Sequence, residues 1–288
     1  MFHTTELQII HWIHQFRTPT LDVFFKLCDF FDRQEFLFVL VPVLWFTRSW
    51  KSGLRIFYVL FLSGLANHAL KAFFASPRPF HLDPSLGVIV VKGFGFPSGA
   101  AQTVVLLSAI LLSTWRQSWT LGVAALYVIL VSFSRIYLGV HFPTDILAGW
   151  MVGWVLWRLY ASLRPPLEQK LETLRPITLL FLGIVVPFAL FAIQPSHMAL
   201  AFAGSTSGMA FGLFLNHVRG WNLSAAKNNL EVGLRVVLGI LSLFGTHALL
   251  AKLAMPMVLQ NVLLGIWTAT GVLFLCRIVA SMRFKQDA

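Results

Sequence analysis

Three short stretches hold residue types that can handle a phosphoryl group. Lys71 and Arg78-Pro79 bracket the first, Pro97-Ser98-Gly99-Ala100 is the second, and Ser134-Arg135, His141 and Asp145 make the third. A lysine supplies a compact point charge and an arginine a planar fork, a pair suited to phosphate oxygens. Ser98 is a good helix N-cap, and the free N–H groups of a helix starting at Gly99 and Ala100 would face an anion. An imidazole at His141 with a carboxylate four residues on, Asp145, can be held in one tautomer, leaving its other nitrogen free to attack. Each feature alone has an ordinary explanation: a snorkelling lysine, a loop arginine, a plain helix start, a loop histidine. Their joint occurrence at matching ends of apolar segments is what points to one anion site.

The elements that position these residues are membrane spans. The 288 residues are 57% hydrophobic and only 11% charged, against about 25% charged in a soluble domain. Mean hydropathy is +0.76. The expected fold is all-α, a polytopic integral membrane helix bundle. Nine spans are expected at 34–50, 53–73, 98–114, 119–138, 144–163, 176–194, 199–217, 232–253 and 257–280. Two amphipathic helices precede them, over 4–17 and 21–32. Thr5 and Gln8 have capping-box spacing. Ile9, Trp12, Ile13 and Phe16 share one face, as do Leu21, Phe24, Phe25 and Cys28, with acids at Asp29 and Asp32. Both helices are expected to lie in the membrane interface. The expected organisation is interfacial helices at 1–33, a five-span core at 34–163, a polar Pro-containing cytoplasmic linker at 164–175 and a four-span bundle at 176–288.

Net charge is +11, but the basic residues form no run, so nucleic acid is not an expected partner. Fourteen of the 22 Lys and Arg fall in alternate connections: Arg48, Lys51, Arg55, Arg116, Arg158, Arg164, Lys170, Arg175, Arg219, Lys227, Arg235, Arg277, Arg283 and Lys285. The positive-inside rule places these in the cytoplasm, and the amino terminus and all three motifs outside. No cleavable signal peptide is visible. Cys28 and Cys276 are isolated, which predicts neither a disulfide nor a thiol metal site. Gly204, Gly208 and Gly212 form a close-packing stripe.

The three stretches together resemble the signature of the type 2 phosphatidic acid phosphatase superfamily. That pattern is Lys, six residues, Arg-Pro; then Pro-Ser-Gly-His; then Ser-Arg, five residues, His, three residues, Asp. Residues 71–79, 97–99 and 134–145 match it in order and spacing. The nine-span topology also resembles the glucose-6-phosphatase branch. The resemblance implies that His141 is the nucleophile, forming a phosphohistidine, and that Asp145 orients it. It implies that Lys71, Arg78, Ser98, Gly99 and Arg135 hold phosphate oxygens, and that no metal or other cofactor is needed. The implied substrate is a membrane lipid phosphate or diphosphate, with a soluble sugar phosphate or a non-catalytic lipid-phosphate binder as rivals. Ala100 departs from the pattern, standing where the family has the histidine that protonates the leaving oxygen. Either the alanine is a knockout, or the leaving group needs no proton, or the chain only binds. His81 is a candidate substitute acid, with His68 a weaker one that is expected to pack within its span.

Overall fold

The structure, a computed structural model, describes residues 2–31, 34–47, 49–115, 117–221, 228–275 and 277. Asp32, Cys276, Arg48, Arg116, Lys227, Arg283 and Lys285 lie outside the described residues. Among the described residues the chain is all helical. The helices are α1 (Phe2–His14), α2 (Pro19–Phe30), α3 (Gln34–Thr47), α4 (Trp50–Phe74), α5 (Pro79–Leu82), α6 (Gly99–Thr114), α7 (Ser118–Tyr137), α8 (Pro143–Glu172), α9 (Pro176–Ile193), α10 (His197–Val218), α11 (Asn229–Lys252) and α12 (Met257–Ile266), with α12 continuing as a π turn at Trp267–Gly271.

Among the described residues, seven helical segments are long and apolar enough to cross a membrane. The chain is an integral, multi-pass membrane protein. Its outward surface agrees: Leu121, Leu126 and Ile129 of α7 and Leu147, Met151 and Trp154 of α8 are exposed, a pattern that water would penalise and lipid does not. Two of the nine expected spans are shorter, α3 with 14 residues and α6 with 16, against the ~20 that a straight span needs. The first helix starts at Phe2, so Thr5 lies inside it and forms no capping box. The apolar faces of α1 and α2 also divide. Ile10, Ile13, Phe25 and Cys28 are buried, whereas Ile9, Trp12, Phe16, Phe24 and Leu27 are exposed. Each helix is apolar on two sides, one docked on protein and one left for lipid.

The chain forms two compact units, residues 1–38 with 58–166, and residues 39–57 with 167–288. In the first, Ile13, Phe25, Cys28, Tyr137, Leu138 and Val140 form a core, and Ile10, Leu86 and Phe142 form another. Helix α8 does not stop at Arg164-Pro165-Pro166 but runs on to Glu172. In the second unit that extension is tied to the start of α4: Arg55 donates to Glu168 at 2.6 and 2.8 Å, and Lys51 to Glu172 at 2.7 Å. Also in the second unit, a Cβ at Gly208 would stand 2.0 Å from the Val262 carbonyl and one at Gly265 2.2 Å from that of Ser205. The backbones of α10 and α12 thus meet with no side chain between them.

Candidate active site

Helix α4 ends in the last turn that carries Lys71, and Ala75, in the left-handed region at φ 46°, donates back to the Lys71 carbonyl at 2.9 Å. The chain then runs extended into Arg78. The Arg78 side chain is 2% exposed and its fork is fixed by three contacts. Nε donates to the Gly93 carbonyl at 2.9 Å, and Nη1 donates to the Val140 carbonyl at 2.9 Å and to His141 Nε2 at 3.3 Å. An arginine can only donate. Nε2 of His141 therefore presents its lone pair, and the ring proton sits on Nδ1, which donates to Asp145 Oδ2 at 3.1 Å. That carboxylate also accepts from the Phe142 amide at 2.9 Å.

The loop that carries His141 is pinned from both sides. The Arg135 carbonyl accepts from the amides of Val140 and His141 at 3.1 and 3.3 Å. Gly139 turns the chain at φ 70°, where a Cβ would fall 1.9 Å from the Leu86 carbonyl. His141 lies between α7 and α8 and is 4% exposed. Burial, reinforced by the positive charges of Arg78, Lys71 and Arg135, holds its imidazole well below the ordinary value of 6.5, with a smaller opposing contribution from the Gly95 backbone. The ring is thus neutral at neutral pH, the form that can attack.

Ser98 caps α6 through its side chain, which accepts from the Ala101 amide at 3.4 Å, while its own amide donates to the Asp145 carbonyl at 3.0 Å. The start of α6, where Gly99 and Ala100 sit, is thereby tied to the start of α8. Ala100 packs with Val104 and Val131 in an apolar cluster. Arg135 donates to Asp29 of α2. His81 is exposed and is occupied locally, Nδ1 accepting from the Arg78 amide at 3.2 Å. His68 is exposed on α4 rather than packed, because the inward position of that turn belongs to its neighbour Asn67.

Several contributors were not foreseen from the sequence. Asn67, one turn before Lys71, donates to the Pro97 carbonyl at 3.2 Å and to Gln102 Oε1 at 3.1 Å, and Gln102 donates to Ser63 at 2.7 Å. This buried amide chain joins α4 to α6. Its signal was available, because uncharged polar residues inside an apolar span are costly unless they are paired. Glu6 of α1 accepts from the Thr144 amide and hydroxyl at 2.9 and 2.7 Å, capping the first turn of α8 from outside. Nothing local in the sequence marks that contact, which spans 138 residues.

The structure thus sets a neutral, carboxylate-held imidazole in the field of three basic side chains, Arg78, Lys71 and Arg135. The sequence pattern of the PAP2 superfamily matches residues 52–168, which include all three motifs. The likeness to the PAP2 superfamily covers residues 52–168, less than half of the 288. An undecaprenyl-diphosphatase of Sulfolobus acidocaldarius is 32% identical over 126 residues, 41% of this chain and 60% of that protein. A lipid A 4'-phosphatase of Bacteroides thetaiotaomicron is 32% identical over 85 residues, 30% of this chain and 38% of that protein. Among solved structures, Aquifex aeolicus LpxE aligns at TM-score 0.49 and 29% identity, over 54% of this chain and 94% of that one. The chain thus spans between 38% and 60% of the length of these two curated relatives, and the PAP2 match itself ends within α8.

Proposed function

We propose that this chain hydrolyses a lipid phosphate, with a diphosphate preferred, through a phosphohistidine on His141. The observation that carries this reading is the imidazole set between Asp145 at 3.1 Å and Arg78 at 3.3 Å, with its lone pair toward the arginine fork. A phosphoryl group entering there would take over the Arg78 donors and bring phosphorus opposite Nε2. Attack forms the P–N bond as the P–O bond to the leaving group breaks, and that oxygen carries away the electron pair. Asp145 stabilises the imidazolium that forms. Arg78, Lys71, Arg135, Ser98 and the first amides of α6 would share the charge on the equatorial oxygens. Water then attacks phosphorus and gives up a proton to solvent as the P–N bond breaks; Nε2 takes back its electron pair, and His141 is neutral again with its proton still on Nδ1.

Ala100 decides the leaving group. A lipid alkoxide departs slowly without a proton donor, and general acid catalysis is worth ~10²–10⁴-fold. A phosphate leaving from a diphosphate has a pKa near ~6 and needs little help. Further support comes from the names of the relatives, one a diphosphatase and one a lipid phosphatase. The site is proposed to lie outside, at the ends of the spans that carry the three motifs. A binding-only role is the second reading, favoured by the apolar setting of Ala100.

The test measures release from a lipid monophosphate and its diphosphate, with Ala100 and with Ala100→His. The expected result is turnover of the diphosphate by the Ala100 chain, and a rise of ~10²-fold or more for the monophosphate alone once the acid is supplied. An equal rise for both substrates would defeat the leaving-group argument. No turnover of either by either protein would leave the binding-only reading.

A further inference from the structure

Arg135 stands at a motif position that the family resemblance assigns to phosphate, yet its Nη1 already donates to Asp29 Oδ1. Both residues are buried, at 6% exposure each. Taking a carboxylate and a guanidinium out of water is costly unless they pair closely, so this contact is a built feature of the fold. Asp29 is not a loose acid. Its helix, α2, is mounted on α7 at two further points: the Tyr137 hydroxyl donates to Asp22 at 2.9 Å, and the Phe25 and Tyr137 rings lie 4.3 Å apart. The Arg135 carbonyl closes the turn that holds His141, so the residue Asp29 grips is also a support of the nucleophile. Arg78 makes the contrast. Its fork rests on the neutral carbonyls of Gly93 and Val140 and on His141, with no carboxylate among those three partners.

We propose that Asp29 is a positioning residue of the phosphate site: its carboxylate orients the Arg135 fork and offsets its charge, so that product phosphate is released. The proposal rests on the phosphatase reading above. A phosphate oxygen reaching Arg135 meets Asp29 as a like charge. At an effective dielectric of ~20 and a separation of about 5–6 Å, such a charge changes affinity by tenfold or more. Asp29 therefore lowers the affinity of the site for its product without removing either arginine. Helix α2, expected from sequence to serve only as an interfacial element, then supplies part of the site.

The test uses the full chain in detergent, with inorganic phosphate as the probe, by calorimetry and as a product inhibitor of turnover. Asp29→Asn is expected to bind phosphate about tenfold tighter or more, with a lower kcat as release slows. Asp29→Glu, which keeps the charge, is expected to stay within about threefold of the natural chain. Arg135→Gln is expected to abolish the difference between Asp and Asn at position 29. An Asn variant that melts earlier but binds phosphate as the natural chain does, or more weakly, reduces Asp29 to a packing partner and overturns the proposal. If the Asn variant does not fold, Asp29→Ser is read in the same way. A natural chain that binds no phosphate removes the phosphatase reading itself, which is a separate outcome from failure at position 29 alone.

Discussion

At the scale of single residues, the site turns on which nitrogen of His141 carries the proton. Arg78 can only donate, and this fixes the lone pair on Nε2. The depressed imidazole pKa gives the consequence for pH. An ordinary imidazole gains its proton near 6.5 and loses its nucleophilic lone pair there. Here protonation is delayed by burial and by Arg78, Lys71 and Arg135. The nucleophile is therefore fully available at pH 6.5 and is lost only as pH falls well below it. The expected profile of kcat/KM, corrected for the substrate's own ionisation, is flat through 6.5 with its acid limb at lower pH. Arg78→Gln removes one of the charges and is expected to move that limb upward. A limb at 6.5 or above in the natural chain would contradict the buried, cation-flanked setting.

At the scale of elements, the site depends on how closely α8 approaches the start of α6. Gly149 and Gly153, four residues apart on α8, allow it. A Cβ at Gly149 would lie 2.5 Å from the Ser98 carbonyl, and one at Gly153 2.4 Å from that of Gln102. Those atoms are backbone and cannot swing aside. Gly149→Ala is expected to push Ser98 and the α6 amides away from His141, which α8 carries through Asp145. A misplacement of about 1 Å at a reacting centre can cost ~10²-fold in rate. Gly122→Ala in α7 is the control, since a Cβ there meets nothing within 4 Å. Adding it is expected to raise stability by about 0.5–1 kcal/mol with activity unchanged. Phosphate release and melting temperature on the pair would check both expectations. Equal activity in the two variants would separate the helix approach from catalysis.

At the scale of the whole molecule, the remaining question is which side of the membrane the site faces. The fourteen-to-eight division of basic residues predicts that it lies outside. Val90 is 81% exposed in the segment between α5 and α6, next to the motifs in sequence. With Cys28 and Cys276 replaced, Val90→Cys is expected to react with an impermeant maleimide in intact cells. Labelling only after permeabilisation would invert the topology and place the lipid substrate in the inner leaflet.

The sequence by itself determined the all-helical membrane class and the three motifs, because both are written locally. Apolar runs of span length require helices that satisfy their own backbone, and Lys71, Arg78, Ser98, Arg135, His141 and Asp145 announce themselves by type and spacing. The extent of the helices was less legible. Pro165 and Pro166 read as a stop, yet ion pairs to Lys51 and Arg55 hold the helix to Glu172. The tautomer of His141 was not legible at all, since it follows from an arginine 63 residues away. Nor were the grips of Glu6 on Thr144 and of Asp29 on Arg135, which close over 138 and 106 residues. Those contacts are decided when α1 and α2 bury one of their two apolar faces against Tyr137 and Leu138 at the end of α7 and against Leu86 and Phe142. That burial is a tertiary choice, because the local pattern of each helix serves lipid and protein equally well.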